Sequence, residues 1–232
     1  MLYSFEKGKN PGSDGFTPEF FLGFYDLIKK DILAVVQESR KSGKVLGSMN
    51  NTFIALIPKK HKCEAFEDYI PISCCNMIYK VIAKIIAQRI KPILSKVITE
   101  EQFGFLQNRQ ILDVISIAQE VIHTIKKEKL GIALKLNLSK DYDKVSCTFI
   151  RLVLIKLGMN MEMVDWILGC IQSTSFAVLI NGSPSEFFRP SRGIKQVCPL
   201  SPFIFLLVAS ALSRLILKSR TKGRITGKSI KV

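Results

Sequence analysis

The sequence predicts an α+β fold, and three patterns predict it. Apolar residues recur at helical spacing in several long stretches, as at Ile78, Val81, Ile82, Ile85, Ile86 and Ile90. Shorter stretches alternate with a period of two, as at Leu134, Leu136 and Leu138. The dipeptide Asn181-Gly182 sits between two such stretches and marks a hairpin turn. With 232 residues and 47% apolar content there is ample material for a core, in one large domain or two small ones.

The elements follow in order. Residues 9–15, KNPGSDG, are turn chemistry, and they close a turn-rich segment over 1–16. Thr17 is placed to cap a helix with Pro18 in its first turn, and Phe20, Phe21, Phe24, Leu27, Ile28, Ile32 and Val35 form its core-facing stripe. Residues 52–57 read as a strand stopped by Pro58, and Lys59, Lys60 and Lys62 follow as a basic loop. Asn76 caps a helix over 77–91, whose Lys80, Lys84, Arg89 and Lys91 add positive charge. A second amphipathic helix covers 110–127. Residues 131–138 read as a buried strand that runs into a turn and a short helix start. The end of this strand gathers Asn137, Ser139, Lys140, Asp141 and Asp143, a pattern that suits either a metal-holding cleft or a plain helix cap. Helices over 148–157, ended by Gly158, and 161–172, capped by Asn160 and carrying the single Trp166, come next. The hairpin pairs 173–181 with a return strand at 186–189, and an apolar helix spans 203–217. Residues 218–232 form a basic tail.

Charge narrows the function classes. Thirty-four basic against nineteen acidic residues give a net charge of +15, which favours a polyanion: nucleic acid first, an acidic membrane surface second. The six cysteines show no C-x-x-C pairing and no histidine at zinc spacing. They read as reduced thiols of an intracellular protein of cytoplasm or nucleus. The N-terminus lacks the apolar core of a signal peptide, and the longest apolar run, 203–212, is too short to span a bilayer. No membrane is therefore expected, and nothing in the sequence speaks to oligomeric state.

Several of these stretches resemble one family in the right order. LKLNLSKDYDKV (134–145) resembles the first palm motif of LINE-type (non-LTR) retrotransposon reverse transcriptases of the kind abundant in plant genomes, which usually reads L-K-L-D-[ML]-S-K-A-Y-D-[KR]-V. PSRGIKQVCPLSP (190–202) resembles P-S-R-G-[LI]-[RK]-Q-G-D-P-L-S-P. KNPGSDGF (9–16), DYIPISCCN (68–76) and QFGFLQNR (102–109) resemble the fingers motifs that precede them. The resemblance implies a right-hand polymerase-like architecture: fingers over about 17–130 and a partial palm over about 131–217, with an antiparallel palm sheet packed on helices. It implies RNA-templated DNA synthesis with magnesium, and an RNA or DNA template-primer as partner. By position, the metal-binding Asp falls on Asn137 and the metal-binding carbonyl on Leu138. Tyr142 falls under the incoming sugar, and Arg109 on the arginine that reaches the triphosphate. Gly193 would permit close approach to a ligand, Gln196 would pack near the nascent base pair, and Ser201 would open a helix with unpaired N–H donors. Lys59, Lys60 and Lys195 would contact nucleic-acid phosphates.

The departures from the pattern carry their own expectation. The metal ligand is the amide Asn137, Ile70 replaces a phosphate-binding arginine, and Val197 and Cys198 replace Gly and Asp. If the glycine position needs a positive φ, a β-branched valine there is strained. The sequence holds no adjacent Asp pair, so the second catalytic motif and the thumb of the family are missing. The chain is thus expected to be a truncated, degenerate and catalytically inactive reverse transcriptase fragment with no cofactor of its own. The alternatives are a non-catalytic RNA- or DNA-binding module, and a piece of a longer, active enzyme.

Overall fold

A computed structural model describes residues 2–98, 102, 104–105, 110–128, 138 and 140–224. The strand expected over 131–138 lies outside the described residues except for Leu138, as does most of 102–109.

The centre is helix α4, Met77–Val97. Its Ile82, Ile86, Ile90 and Leu94 repeat at i, i+4 and are fully buried, each contributing about 2 kcal/mol relative to exposure. Ala83 and Ala87 let neighbouring backbones come close. The main core joins this face to α7 (Cys147–Lys156), α8 (Met161–Gln172) and α9 (Ser201–Thr221). A smaller cluster on the other side sets Leu2 and Phe21 against Met77 and Val81. The helix runs six residues past its expected end, with Pro92 inside it. Proline removes the N–H that Gln88 would use, but both residues face solvent, so water can take that carbonyl.

Four strands form one sheet in the order β2-β1-β3-β4. β1 (Asn51–Pro58) pairs antiparallel with β2 (Tyr69–Cys75), Thr52 opposite Cys75 and Pro58 opposite Tyr69. β2 lies at an edge, which tolerates Pro71. β1 pairs parallel with β3 (Ser175–Ile180), Asn51 opposite Ser175. The sheet is therefore mixed; within the range expected for the palm, β3 and β4 (Ser183–Pro184) pair antiparallel, and the other strand expected there, 131–138, lies outside the described residues but for Leu138. The connection from β1 to β3 carries α4, α7 and α8 and returns the chain in the same direction, as a parallel pair requires. The sheet also joins strands from both sides of residue 130.

The hairpin turn is as expected, with Asn181 at φ 50° and Gly182 at φ 84°. The return strand is not. β4 is only Ser183–Pro184, followed by a single bridge between Phe188 and Phe176. Ser185 marks the break: its N–H still donates to the Val178 carbonyl at 2.9 Å, but its hydroxyl takes the Val178 N–H at 3.0 Å in place of the reciprocal main-chain bond.

The aromatic N-terminal stripe also departs from expectation. It divides into α1 (Pro18–Gly23) and α2 (Tyr25–Ser42), with Phe24 at φ −103° and ψ 15° between them. Gly23 is a poor helix former, and the break turns the stripe. Phe21 is buried, whereas Phe20, Phe24 and Leu27 are exposed. The apolar side of α5 (Ile111–Glu128) is likewise open at Leu112, Val114, Ile115 and Ile122. α9 is longer than the expected 203–217. With 21 residues and a mean hydropathy of 1.6 over 18 of them, it is long and apolar enough to cross a membrane by length and composition. A core helix passes the same test, and Ile204, Leu206 and Leu207 of α9 are buried within the protein.

Asn76 precedes α4 at the cap position but makes no capping bond. Its Oδ1 accepts from Ser13 Oγ at 3.1 Å and from the Asp14 N–H at 3.3 Å, and its Nδ2 donates to the Ser48 carbonyl at 3.1 Å. This amide ties the turn-rich N-terminus to the start of α4. A Cβ on Gly12 would overlap it. Gly12→Ala is therefore expected to destabilise the protein by about 1–3 kcal/mol, the usual range for overpacking. Chemical denaturation checks this, and an unchanged midpoint would show that the N-terminal turn yields without loss.

Candidate functional site

Two segments singled out in the sequence meet in space. The Gly193 N–H donates to the Val145 carbonyl at 2.8 Å, and the Ile194 N–H to the Tyr142 carbonyl at 2.9 Å. Gly193 sits at φ 98°, and a Cβ there would lie 2.9 Å from the Asp143 carbonyl oxygen. Only glycine allows this docking of loop 190–200 on the short helix α6 (Asp141–Lys144). The close approach expected of Gly193 is thus made to the protein's own backbone. Tyr142 is half-buried and stacks on Phe205, with ring centroids 4.9 Å apart and planes at 17°.

Beside this junction lies a cleft of about 260 Å³, lined among others by Ser73, Asp143, Arg192, Gly193, Lys195 and Gln196. Gln196 is half-buried at its wall. Ser201 opens α9 but is buried, and its N–H reaches the Cys198 carbonyl at 3.3 Å. That donor is not left open for a ligand, contrary to expectation.

Lys195 is a second correction. Expected at nucleic-acid phosphates, it is only 5% exposed. Its Nζ donates to Thr52 Oγ1 at 2.7 Å, to the Asn50 side-chain Oδ1, and to the Asn50 carbonyl at 3.3 Å. It also sits 3.8 Å from the centroid of the Tyr79 ring. Asn50 in turn donates to the Cys170 carbonyl at 2.8 Å and to Ser173 Oγ at 2.7 Å. Neutral oxygens and a ring face satisfy the ammonium, so it turns inward and not toward solvent. No spacing in the sequence announced Asn50, Thr52 or Tyr79 as its partners.

Lys59 and Lys60 remain at the surface but have near partners. Lys59 Nζ donates to the Glu67 carbonyl at 2.8 Å, and Lys60 pairs with Asp68 at 2.9 Å. Lys140 joins the same group through Glu67 at 3.2 Å. Val197 has φ 63° and is 70% exposed, so the positive φ expected at this position is present and falls on a β-branched residue.

The key metal position, Asn137, and the triphosphate position, Arg109, lie outside the described residues; Leu138 is exposed. Among the described residues no group of three His, Cys, Asp or Glu side chains is placed to hold a metal. Asp141 Oδ1 is taken by the Tyr142 N–H at 3.0 Å. Tyr79 OH and Cys198 Sγ lie 3.5 Å apart where the family pattern has an Asp. By residue type alone, an amide at 137 and a thiol at 198 are poorer magnesium ligands than the aspartates of the family pattern, because magnesium favours charged oxygen.

The inward cation lies among groups whose titration is shifted by burial. Burial pushes the Cys75 thiol up to about 11 from an ordinary 9.0. It also raises Cys170 and Tyr79, and it lowers Lys195. The unfolded chain releases the thiol protons from about pH 9 upward, while the folded chain keeps them. Folded protein then binds more protons, so stability falls as pH rises through this range. Lys195 acts oppositely, because the unfolded ammonium keeps its proton longer; one base stands against three acids. The unfolding midpoint is expected to drop between about pH 8 and pH 10.5. The drop should be shallower in Cys75→Ala, and a flat profile in the parent protein would contradict this assignment.

Comparison with known proteins agrees with this geometry. A family model described as reverse transcriptase (RNA-dependent DNA polymerase) matches residues 57–226. The transposon TX1 uncharacterized 149 kDa protein of Xenopus laevis is 30% identical over 224 residues, 96% of this chain and 17% of that protein. A Retrovirus-related Pol polyprotein from type-2 retrotransposable element R2DM of Drosophila melanogaster is 27% identical over 88% of this chain and 19% of its own length. A counterpart from a type-1 retrotransposable element R2 of Popillia japonica is 27% identical over 89% and 28%. The chain spans less than a third of the length of each of these relatives. With the matched region covering most of its length and its relatives carried by retrotransposons, the chain belongs to the reverse transcriptase family, in its non-LTR retrotransposon branch.

Proposed function

We propose that this chain is a reverse transcriptase domain of fingers and partial palm that binds nucleic acid but does not polymerise it. The observation that carries the reading is Asn137. Polymerase chemistry needs two divalent cations to clamp the attacking and leaving oxygens. An amide offers an oxygen without the charge that holds such a hard cation. Losing several kcal/mol of transition-state stabilisation slows the reaction roughly a thousandfold or more. Because the relatives extend far beyond this length, the remaining carboxylates of the family could lie in further sequence; Asn137 belongs to this chain in either case.

Binding rests on charge. The family acts on template-primer nucleic acid, and +15 of net charge would attract it. Lys59, Lys60 and Lys140 gather at one surface point, where each can exchange a weak surface partner for a phosphate.

Primer extension on an RNA template with magnesium or manganese should give no incorporation above a buffer control. Asn137→Asp alone should not restore it. Binding of the same template-primer should weaken steeply with salt. Incorporation that disappears in Asn137→Ala would overturn the inactive reading, and absence of binding at low salt would overturn the binding one.

A further inference from the structure

Val197 combines two features that a core residue would not have. A β-branched side chain at φ 63° is strained, and at 70% exposure it gains almost no packing in return. Its loop neighbours Ile194, Cys198 and Leu200 are all buried. Strain retained without packing marks a position where the side chain acts on something outside the core.

What Val197 faces is a groove of about 630 Å³ that adjoins the cleft at Gly193 through their shared wall at Ser73. Its walls come from the N-terminal segment, the β2 edge at Ser73 and Cys74, α4 at Lys80 and Lys84, and Val197 with Pro199. Three lysines line it against one acid, Glu6, and that acid pairs with Lys9 at 2.8 Å. Lys84 donates to the Ser4 carbonyl at 3.0 Å and to its hydroxyl at 2.7 Å, both neutral, so its charge is not cancelled. Asp14 is within electrostatic reach of Lys80 and tempers it. The groove is lined by apolar side chains and lysines together and is open to solvent, and its excess of positive charge fits the phosphates of a nucleic-acid strand better than a cation.

We propose that Val197 is a gate on this groove: its isopropyl group narrows the path between the β2 edge and Lys80 and Lys84, and so limits the single nucleic-acid strand the groove accepts. The proposal rests on the nucleic-acid-binding reading above and adds the place and the residue that sets the limit. Removing the side chain opens the path, whereas relieving the strain alone does not.

Two substitutions separate those effects. Val197→Gly relieves the backbone and empties the groove wall. Val197→Asn also suits a positive φ but keeps a side chain of similar size. Both should raise the melting temperature. Fluorescein-labelled oligo(rU) and oligo(dT), titrated at low salt with the full chain and read by anisotropy, should bind Val197→Gly at least threefold tighter than the parent. Val197→Asn should match the parent. Adding Lys80→Gln to Val197→Gly should remove most of the gain, with a melt confirming that this variant is folded. Equal affinities for the Gly and Asn variants, or a gain that survives Lys80→Gln, would overturn the gate while leaving nucleic-acid binding intact. Loss of the oligomer to millimolar inorganic phosphate, with none lost to sodium chloride at the same ionic strength, would overturn the strand as occupant. If neither the parent nor Val197→Gly binds, the binding reading falls together with the gate.

Discussion

The buried ammonium of Lys195 is the constraint that the site depends on. It joins three parts of the chain that sequence keeps far apart: the loop at 190–200, the start of β1 through Asn50 and Thr52, and α4 through the Tyr79 ring. Asn50 then extends the link to the end of α8 and the entry to β3. A charge taken out of water is tolerable only if its hydrogen-bonding capacity is met. Here the three donors of the ammonium meet oxygens whose own positions are fixed by the sheet. Removing one partner would leave a buried polar group unpaired, which costs about 1–3 kcal/mol each. Loop 190–200 is thus held from below by Lys195 and from the side by the Gly193 and Ile194 hydrogen bonds.

The same accounting changes what the net charge means. Several cations that read as a solvated basic face are used within the fold. Arg89 lies over the Trp166 ring, Lys91 over Phe203, and Lys84 over Phe5. Arg214 donates to the Val97 carbonyl at 3.0 Å, and Arg40 and Arg151 pair with Glu162 and Asp165. The ring and carbonyl contacts hold their cations in place without removing the positive field, because they carry no net charge, whereas the carboxylates of Glu162 and Asp165 offset theirs. The field therefore survives while the geometry becomes fixed. On the nucleic-acid-binding reading proposed above, a strand drawn in by long-range attraction would meet lysines already oriented, which would favour grooves such as that at Lys80 and Lys84 over diffuse surface contact.

Local chemistry was legible in the sequence, and long-range placement was not. Asn160 caps α8 through the Met163 N–H at 2.9 Å, and Trp166 is buried with its indole N–H on Ser39 Oγ at 3.1 Å. The cap and the burial of Trp166 follow from residue type and spacing within one helix, whereas its partner Ser39 lies on another. The Asn181-Gly182 turn likewise follows from backbone preference, while the positive φ at 197 runs against that of valine. The parallel pairing of β1 with β3 depends on how the intervening helices pack, which no local period encodes. Lys195 misled for a similar reason: lysine is usually at the surface, and the neutral cage that buries it comes from residues more than a hundred positions away. The α1–α2 break shows the limit of periodicity, since one unbroken stripe of spacing contained a glycine that turned half of it outward.

Three departures from the family pattern remove charge and one, Val197, alters shape, while several retained positions hold loop 190–200 in place. Gly193 keeps the docking of loop 190–200, Tyr142 keeps its stack on Phe205, and Lys195 keeps its cage. Asn137, Ile70 and Cys198 each replace a charged group of the pattern with a neutral one. Cys198 shows the consequence most directly. It is buried, within electrostatic reach of Lys195 and against the Tyr79 hydroxyl. An aspartate there would give the buried ammonium a counterion; the thiol gives it none, and burial is free to pull the lysine down. The fold accepts this exchange because the neutral oxygens of Asn50 and Thr52 already satisfy the donors. Magnesium has no such substitute, since a divalent ion is held by ligand charge before geometry. The contacts that shape loop 190–200 do not draw on the charged groups that the pattern has lost, so a chain with an amide at 137 keeps this loop in place.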